Sequence, residues 1–487
     1  MRKEPDYYLV LGVSPGASAV EIEKAARALV EKFPKNAREP SVNAAYRQLL
    51  EAYEVLSNEG KRLAYDRQRA QRAPELLQIT TQLSRHTIAA LDGEQLLYLM
   101  VTLRAPDESA QTTLPLNLAL VFDRSTSMRD ERLAKLKAAA REIVHKLSPE
   151  DVLSIVSFSD RSEVVWSAAN VQQRDRIVSH IYGVEASGGT EIYQGLKAGL
   201  RELARSPLDR YINHLILLTD GHTYGDEDDC LALAQTASTK GFTISAFGIG
   251  SDWNDQFLDQ IVAPSGGRAA YIEEPGQIVE FLREEINGLG AIYAQNVHLK
   301  LKLPAGVRCQ YVFKLSPYSL PLDRKVNPIQ LGAVERRAPL SILFELVISS
   351  QRVGATLDIP LEFVADIPSA QVRERSFRYE ESISVSDVEA ETALPPAIVK
   401  AVQMLNLYRL GERAWEEFEA GNTELATKRM AALTTRLFEA GYPDLAKQAE
   451  YEKERLRQLG TLSLEGRKRL KYGTRSLLTT ALNFDDS

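Results

Sequence analysis

Three short stretches of the chain hold oxygen-bearing side chains at spacings that suit a hard metal ion. The first is "DRSTS", with Asp123, Ser125 and Ser127; the second is "SGGTE", with Thr190; the third is "LLTDG", with Asp220. Hydroxyls with a few carboxylates match Mg²⁺, which prefers octahedral oxygen coordination and tends to keep waters. The Ser-x-Ser alternation puts Ser125 and Ser127 on one side of an extended turn, and Gly188 and Gly189 let the second stretch approach closely. Five donors from three loops are therefore read as a metal site, the alternative being groups that cap helices and satisfy turns. Gly189 and His222 are placed at its rim, a solvated loop histidine being the commoner reading of His222.

The elements that must position these residues follow a regular beat. "LNLALVF" reads as a buried strand and "ERLAKLKAAAREIVHKL" as an amphipathic helix, then "DVLSIVSF" as a strand and "RDRIVSHIYGV" as a helix. "EIYQGLKAGLRELA" and "EDDCLALAQTASTKG" are further helices, with "NHLILLTD" and "FTISAFGIG" as further strands. Near-continuous apolar strands alternating with helices mark a parallel sheet covered on both faces, a doubly wound Rossmann-like fold. Ligands of such sheets bind at the carboxyl ends of the strands, which is where Asp123 and Asp220 fall.

Residues 113–290 resemble the von Willebrand factor type A (VWA) domain, and the five donors match its metal-ion-dependent adhesion site one by one. The resemblance implies that the two serines and the threonine contact the cation directly while the aspartates act largely through waters. It also implies a remaining position filled by an Asp or Glu of a protein partner. Mg²⁺ is the expected ion, with Mn²⁺ and Ca²⁺ as alternatives.

Before this segment, 75–112 carries alternating runs broken by "LDGE"; after it, 291–386 alternates again. Neither flank is a complete set, so the two are expected to join as one β-sandwich into which the α/β segment is inserted.

At the front, 1–70 reads as a small helical domain. Ser18 and Glu21 form a capping box ahead of Ile22, Ala25, Ala26 and Leu29, and a second helix carries Tyr46, Leu49, Tyr53 and Leu56 on one stripe. "DYYLVLGVSPGAS", "EAYEVLSN" and "KRLAYD" resemble the DnaJ-type J domain. A working J domain has His-Pro-Asp between its long helices, but here the loop reads "EKFPKNAREP", with Pro34 kept and Lys35 in place of the aspartate. Charge reversal at that contact is expected to abolish stimulation of a chaperone ATPase, leaving a docking or packing element.

Residues 394–476 read as three amphipathic helices, which either bundle against the sandwich or offer a groove to a partner. Residues 477–487 read as a tail. Thr474, among Arg467, Lys468, Arg469, Lys471 and Arg475, is a candidate phosphorylation position, with an ordinary frayed terminus as the alternative.

Composition bounds the rest. With 59 Lys and Arg against 66 Asp and Glu spread along 487 residues, the chain lacks the charge of a nucleic-acid partner. Two cysteines without motif spacing and no apolar run near the roughly 18 residues of a membrane span point to a cytoplasmic protein with no membrane partner. Six scattered histidines without HExxH and no GxxxxGK[ST] give no hydrolase or nucleotide site, and no catalytic residue is expected. The expected function is a metal-dependent protein-interaction or scaffold module, with a J-domain co-chaperone or chaperone-linked adaptor as the alternative.

Overall fold

The computed structural model describes residues 7–11, 13, 17–32, 44–58, 60–62, 65, 76–106, 114–208, 210–223, 225–388 and 393–481. It divides into two compact units, Met1–Leu76 and Leu77–Ser487.

In the first unit, α1 (Tyr7–Leu11), α2 (Ala19–Lys32) and α3 (Ala44–Ser57) bury Tyr8, Leu11, Ile22, Ala26, Leu49, Ala52 and Leu56 together. The capping box forms: Glu21 N–H donates to Ser18 Oγ at 3.3 Å and Ser18 N–H to Glu21 Oε2 at 2.7 Å. Pro34 and Lys35 lie outside the described residues.

The second unit begins with β1 (Gln78–Leu83), β2 (Thr87–Ala89) and β3 (Gln95–Arg104). An α/β segment follows: β4 (Leu116–Asp123), α4 (Glu131–Lys146), β5 (Val152–Phe158), β6 (Ser162–Asn170), α5 (Arg174–Tyr182), α6 (Ile192–Leu203), β7 (Ile212–Thr219), α7 (Glu227–Thr239), β8 (Thr243–Ile249), α8 (Asp255–Val262), β9 (Ala269–Ile272) and α9 (Ile278–Leu289). Its sheet has the order β6-β5-β4-β7-β8-β9, parallel except for β6. The order reverses direction at β4, the topological switch point of a doubly wound sheet. Leu116, Leu118, Leu120 and Phe122 of β4 face the core under α4, α5 and α9. Val121 faces the opposite side, where α6 crosses so closely that a Cβ on Gly199 would lie 2.4 Å from Val121 Cγ2. Strand β6 escaped the sequence reading because, as an edge with little burial, its only apolar run is the short Val164-Val165-Trp166.

Strands β10 (Ile292–Leu301), β11 (Val307–Ser316), β12 (Leu320–Pro321), β13 (Ile329–Glu335), β14 (Leu340–Ile348), β15 (Thr356–Ile367) and β16 (Val372–Ser386) complete two five-stranded sheets. One has the order β1-β3-β14-β11-β12, the other β13-β10-β15-β16-β2. The early strands thus divide between both sheets. β3 pairs antiparallel with β14 from Leu103↔Leu340 to Gln95↔Ile348, while β2 pairs parallel with β16. The chain leaves the first sheet at the end of β3 and re-enters the second at β10.

Four helices follow among the described residues, one more than the sequence reading gave: α10 (Pro396–Glu419), α11 (Thr423–Glu439), α12 (Pro443–Leu459) and α13 (Leu464–Ala481). Their apolar faces share a core with Met100, Phe313, Leu315 and Leu343 of the first sheet. The expected boundary between a helical region ending at 476 and a tail from 477 needs correction, because α13 runs through it to Ala481; residues 482–487 lie outside the described residues.

Thr474 also needs correction as a phosphorylation candidate. It is 2% exposed, and its hydroxyl donates to Leu470 O at 2.7 Å, so no kinase reaches it in the folded chain. The basic residues around it face inward: Arg475 forks onto Asp259 at 2.8 and 2.7 Å, Arg467 lies 3.4 Å from Asp255, and Lys471 pairs with both aspartates. Basic side chains are normally solvated, and the acidic partners on α8 are more than 200 residues away in sequence.

Candidate metal centre

The site is built at the carboxyl edge of the α/β sheet, where β4 and β7 lie side by side with Phe122 opposite Leu218. Asp123 is the last residue of β4 and is fully buried. Its Oδ1 accepts the Ser125 N–H at 2.7 Å, which tightens the turn after the strand, and its Oδ2 accepts the Thr219 hydroxyl at 2.8 Å. The turn brings the Ser125 and Ser127 hydroxyls within 3.0 Å of each other. Ser127 also donates to Asp220 Oδ1 at 2.8 Å. The other oxygen of Asp220 pairs with Arg132 Nη1 on the first turn of α4.

The second loop is tied to the first through main-chain contacts. Thr126 donates both its N–H and its hydroxyl to Gly188 O at 3.0 Å, and Ser187 N–H donates to Arg124 O at 2.8 Å. Gly188 has φ +80°, and a Cβ there would lie 2.5 Å from Asp160 Oδ2, so the position requires glycine. Gly189 N–H donates to Asp160 Oδ1 at 2.8 Å. Thr190, 5% exposed, has its hydroxyl close enough to Gly221 that a Cβ there would lie 3.3 Å away. The structure therefore gathers Asp123, Ser125, Ser127, Thr190 and Asp220 at one edge. Asp123 and Asp220 form the floor, and the exposed Ser127 and His222 lie toward solvent.

Burial pushes the Asp123 carboxyl up to about 6 against the hydrogen bonds from Ser125 and Thr219, and the neighbouring Asp220 charge pushes in the same direction. A buried carboxylate resisting ionisation beside a second carboxylate is an environment that a cation relieves, and the surrounding donors are hard oxygens. Among the described residues no three His, Cys, Asp or Glu side chains cluster as ligands, so a cation here needs the hydroxyls as well.

Sequence reasoning missed Thr219, Asp160 and Arg132. Thr219 stands next to Asp220 in sequence, but a strand threonine is unremarkable until its neighbour in the sheet is known. Asp160 and Arg132 carry no local signal.

This fold and this edge define the class: residues 117–284 match the family model for the von Willebrand factor type A domain, and the chain carries a VWA domain. Residues 6–66 match the DnaJ domain, and 396–480 match the "Sll0103-like, C-terminal alpha-helical domain".

Among curated proteins, the chain is 31% identical over 273 residues to the uncharacterized protein sll0103 of Synechocystis, covering 54% of this chain and 65% of that one. It is 24% identical over 269 residues to YfbK of Escherichia coli, covering 54% and 47%. The match thus spans less than two thirds of either relative. Among solved structures, a von Willebrand factor type A protein from Catenulispora acidiphila superposes with a TM-score of 0.66 at 18% identity, covering 83% of this chain and 98% of that one. The ArnB paralog VWA2 from Sulfolobus acidocaldarius gives 0.52 at 16%, covering 82% and 98%. At these identities the likeness is one of fold.

Proposed function

We propose that the chain is a metal-dependent protein-interaction module. Asp123, Ser125, Ser127, Thr190 and Asp220 act as a metal-ion-dependent adhesion site for Mg²⁺, with Mn²⁺ or Ca²⁺ as substitutes, and the ligand is an Asp or Glu side chain of a partner protein. The observation that carries this reading is the pair of buried carboxylates, 0% and 1% exposed, linked through the Ser125 N–H and the paired Ser125 and Ser127 hydroxyls at the carboxyl edge of the sheet. A bound divalent cation supplies an electrophilic position for the partner's carboxylate oxygen. The protein's part is to hold the donors. Thr219 and the Ser125 N–H fix both oxygens of Asp123, Ser127 orients Asp220, and the Gly189 N–H to Asp160 hydrogen bond seats the loop bearing Thr190.

Binding, not catalysis, is the activity in this reading: the Ser125 hydroxyl is engaged with Ser127 rather than with a general base. A cytoplasmic setting without nucleic-acid or membrane partners belongs to the same proposal. Among the described residues no helix is long and apolar enough to cross a membrane.

Titration calorimetry with Mg²⁺ tests the reading. The intact protein is expected to bind one equivalent and Asp123→Ala none, with both melting as folded proteins; equal heats from the two would end it.

A second reading, favoured by the folded three-helix unit matching the DnaJ domain, is a chaperone-linked adaptor that docks without stimulating ATP hydrolysis. With Lys35 in place of aspartate, the chaperone's ATPase rate is expected to stay flat when the protein is added. Acceleration would show a working co-chaperone instead.

A further inference from the structure

Asp220 is held by a guanidinium that takes no part in the five-residue donor set. Arg132 stands on the first turn of α4, and its Nη1 pairs with Asp220 Oδ2 while Ser127 occupies Oδ1. The guanidinium is wedged against the end of β8, where Gly250 has φ +72° and a Cβ would lie 3.0 Å from Arg132 Nη2. Its side chain is 30% exposed, whereas that of Asp220 is fully buried. Among the described residues, the site's two carboxylates have one ion-pair partner between them: Arg132 on Asp220, with none on Asp123.

Resting on the metal-site reading above, we propose that Arg132 sets the charge balance of the site, lowering its affinity for a lone cation and raising the affinity of the loaded site for an acidic ligand. Two carboxylates and one guanidinium leave one negative charge in excess. A divalent cation overcompensates it and leaves the loaded site one charge positive, and a carboxylate then brings it to neutrality. Without Arg132 the loaded site would already be neutral, and a carboxylate would make it negative. Asp123 and Asp220 are buried and Arg132 is 30% exposed, so these charges act at short range and are only partly screened. Arg132 therefore weakens the hold on a lone cation and strengthens the pull of the loaded site on an anion.

Mn²⁺ titration followed by electron paramagnetic resonance tests this on the full chain, with N-acetyl-aspartate as the acidic probe. Arg132→Gln, which keeps a hydrogen-bond donor without the charge, is expected to bind Mn²⁺ about tenfold or more tightly than wild type. At one fixed, sub-saturating probe concentration its affinity should gain less than that of wild type, because its loaded site holds the probe more weakly. Arg132→Lys restores the charge and should return both properties toward wild type, a rescue that a purely structural role would not produce. Equal or weaker Mn²⁺ binding by Arg132→Gln, or an equal gain from the probe in both proteins, overturns the assignment while leaving the metal site intact, provided Asp123→Ala still abolishes binding. Failure of wild type itself to bind Mn²⁺ overturns the metal-site reading and this one with it.

Discussion

The Thr219 hydroxyl and the Ser125 N–H between them fix both oxygens of a carboxylate with no solvent exposure, so each matters beyond its single hydrogen bond. Thr219→Val keeps the shape of the side chain and leaves Asp123 Oδ2 without that donor. The expected loss is about 1–3 kcal/mol of stability, read from the urea midpoint, together with weaker Mg²⁺ binding because Asp123 is less firmly oriented. Gly199 is a steric counterpart: a methyl there would meet Val121 Cγ2 at 2.4 Å and Leu215 Cδ1 at 2.8 Å. Gly199→Ala is expected to cost about 1–3 kcal/mol by forcing α6 away from β4 and β7, visible as a lower melting temperature. At this scale the donors were legible because their types are unusual at strand ends. The groups that orient them were not, since a strand threonine or a helix arginine becomes informative only beside the atom it touches.

Helix α13 shows the limit of reading elements from charge. Arg467, Lys468, Lys471 and Arg475 look like a solvated basic tail, yet Lys468, Lys471 and Arg475 are each under 5% exposed, and α13 is clasped to α8 through Asp255 and Asp259. Burial alone would raise the Asp259 carboxyl, but Arg475 and Lys471 outweigh it and hold it down to about 2. A carboxyl depressed in the folded state contributes its stability above the unfolded value of about 3.9 and loses it as pH falls through about 2. The stability difference between wild type and Asp259→Asn is therefore expected to be largest above pH 4 and to shrink between pH 4 and 2. A difference independent of pH, measured by denaturant unfolding across that range, would mean the ion pairs contribute nothing net. Many of the helices and most parallel strands were legible from period and apolar runs, but α8, α9 and α13 were not. The division of β1, β2 and β3 between two sheets was not, because pairing partners more than 200 residues apart leave no trace in local alternation.

Within residues 77–487 the two five-stranded sheets, the α/β segment and the helical region meet at buried polar points, and Lys314 ties both sheets to the α/β segment. It lies on β11 in one sheet at 1% exposure, and its ammonium donates to Leu331 O of β13 in the other sheet at 3.0 Å and to Gly266 O beyond α8 at 2.8 Å. The backbones it joins are almost in contact, since a Cβ on Gly266 would lie 2.4 Å from Gly332 N. Burial pushes the ammonium down to about 8, opposed by the negative charges of Glu335 and Glu285. An unfolded lysine takes its proton below about 10.4, whereas this one, when folded, takes it only below about 8. Between those values the unfolded chain binds more protons than the folded one, so stability rises with pH across that window and the cost of charging the buried amine is fully present below it. Lys314→Met removes this dependence while keeping most of the volume. The stability of wild type relative to Lys314→Met is expected to increase by about 3 kcal/mol from pH 8 to about 10.4 and to level off above, as read from chemical denaturation at fixed ionic strength. A flat difference would mean that the ammonium keeps its ordinary affinity for the proton through its two carbonyl partners, and that the junction holds a charge at no net cost.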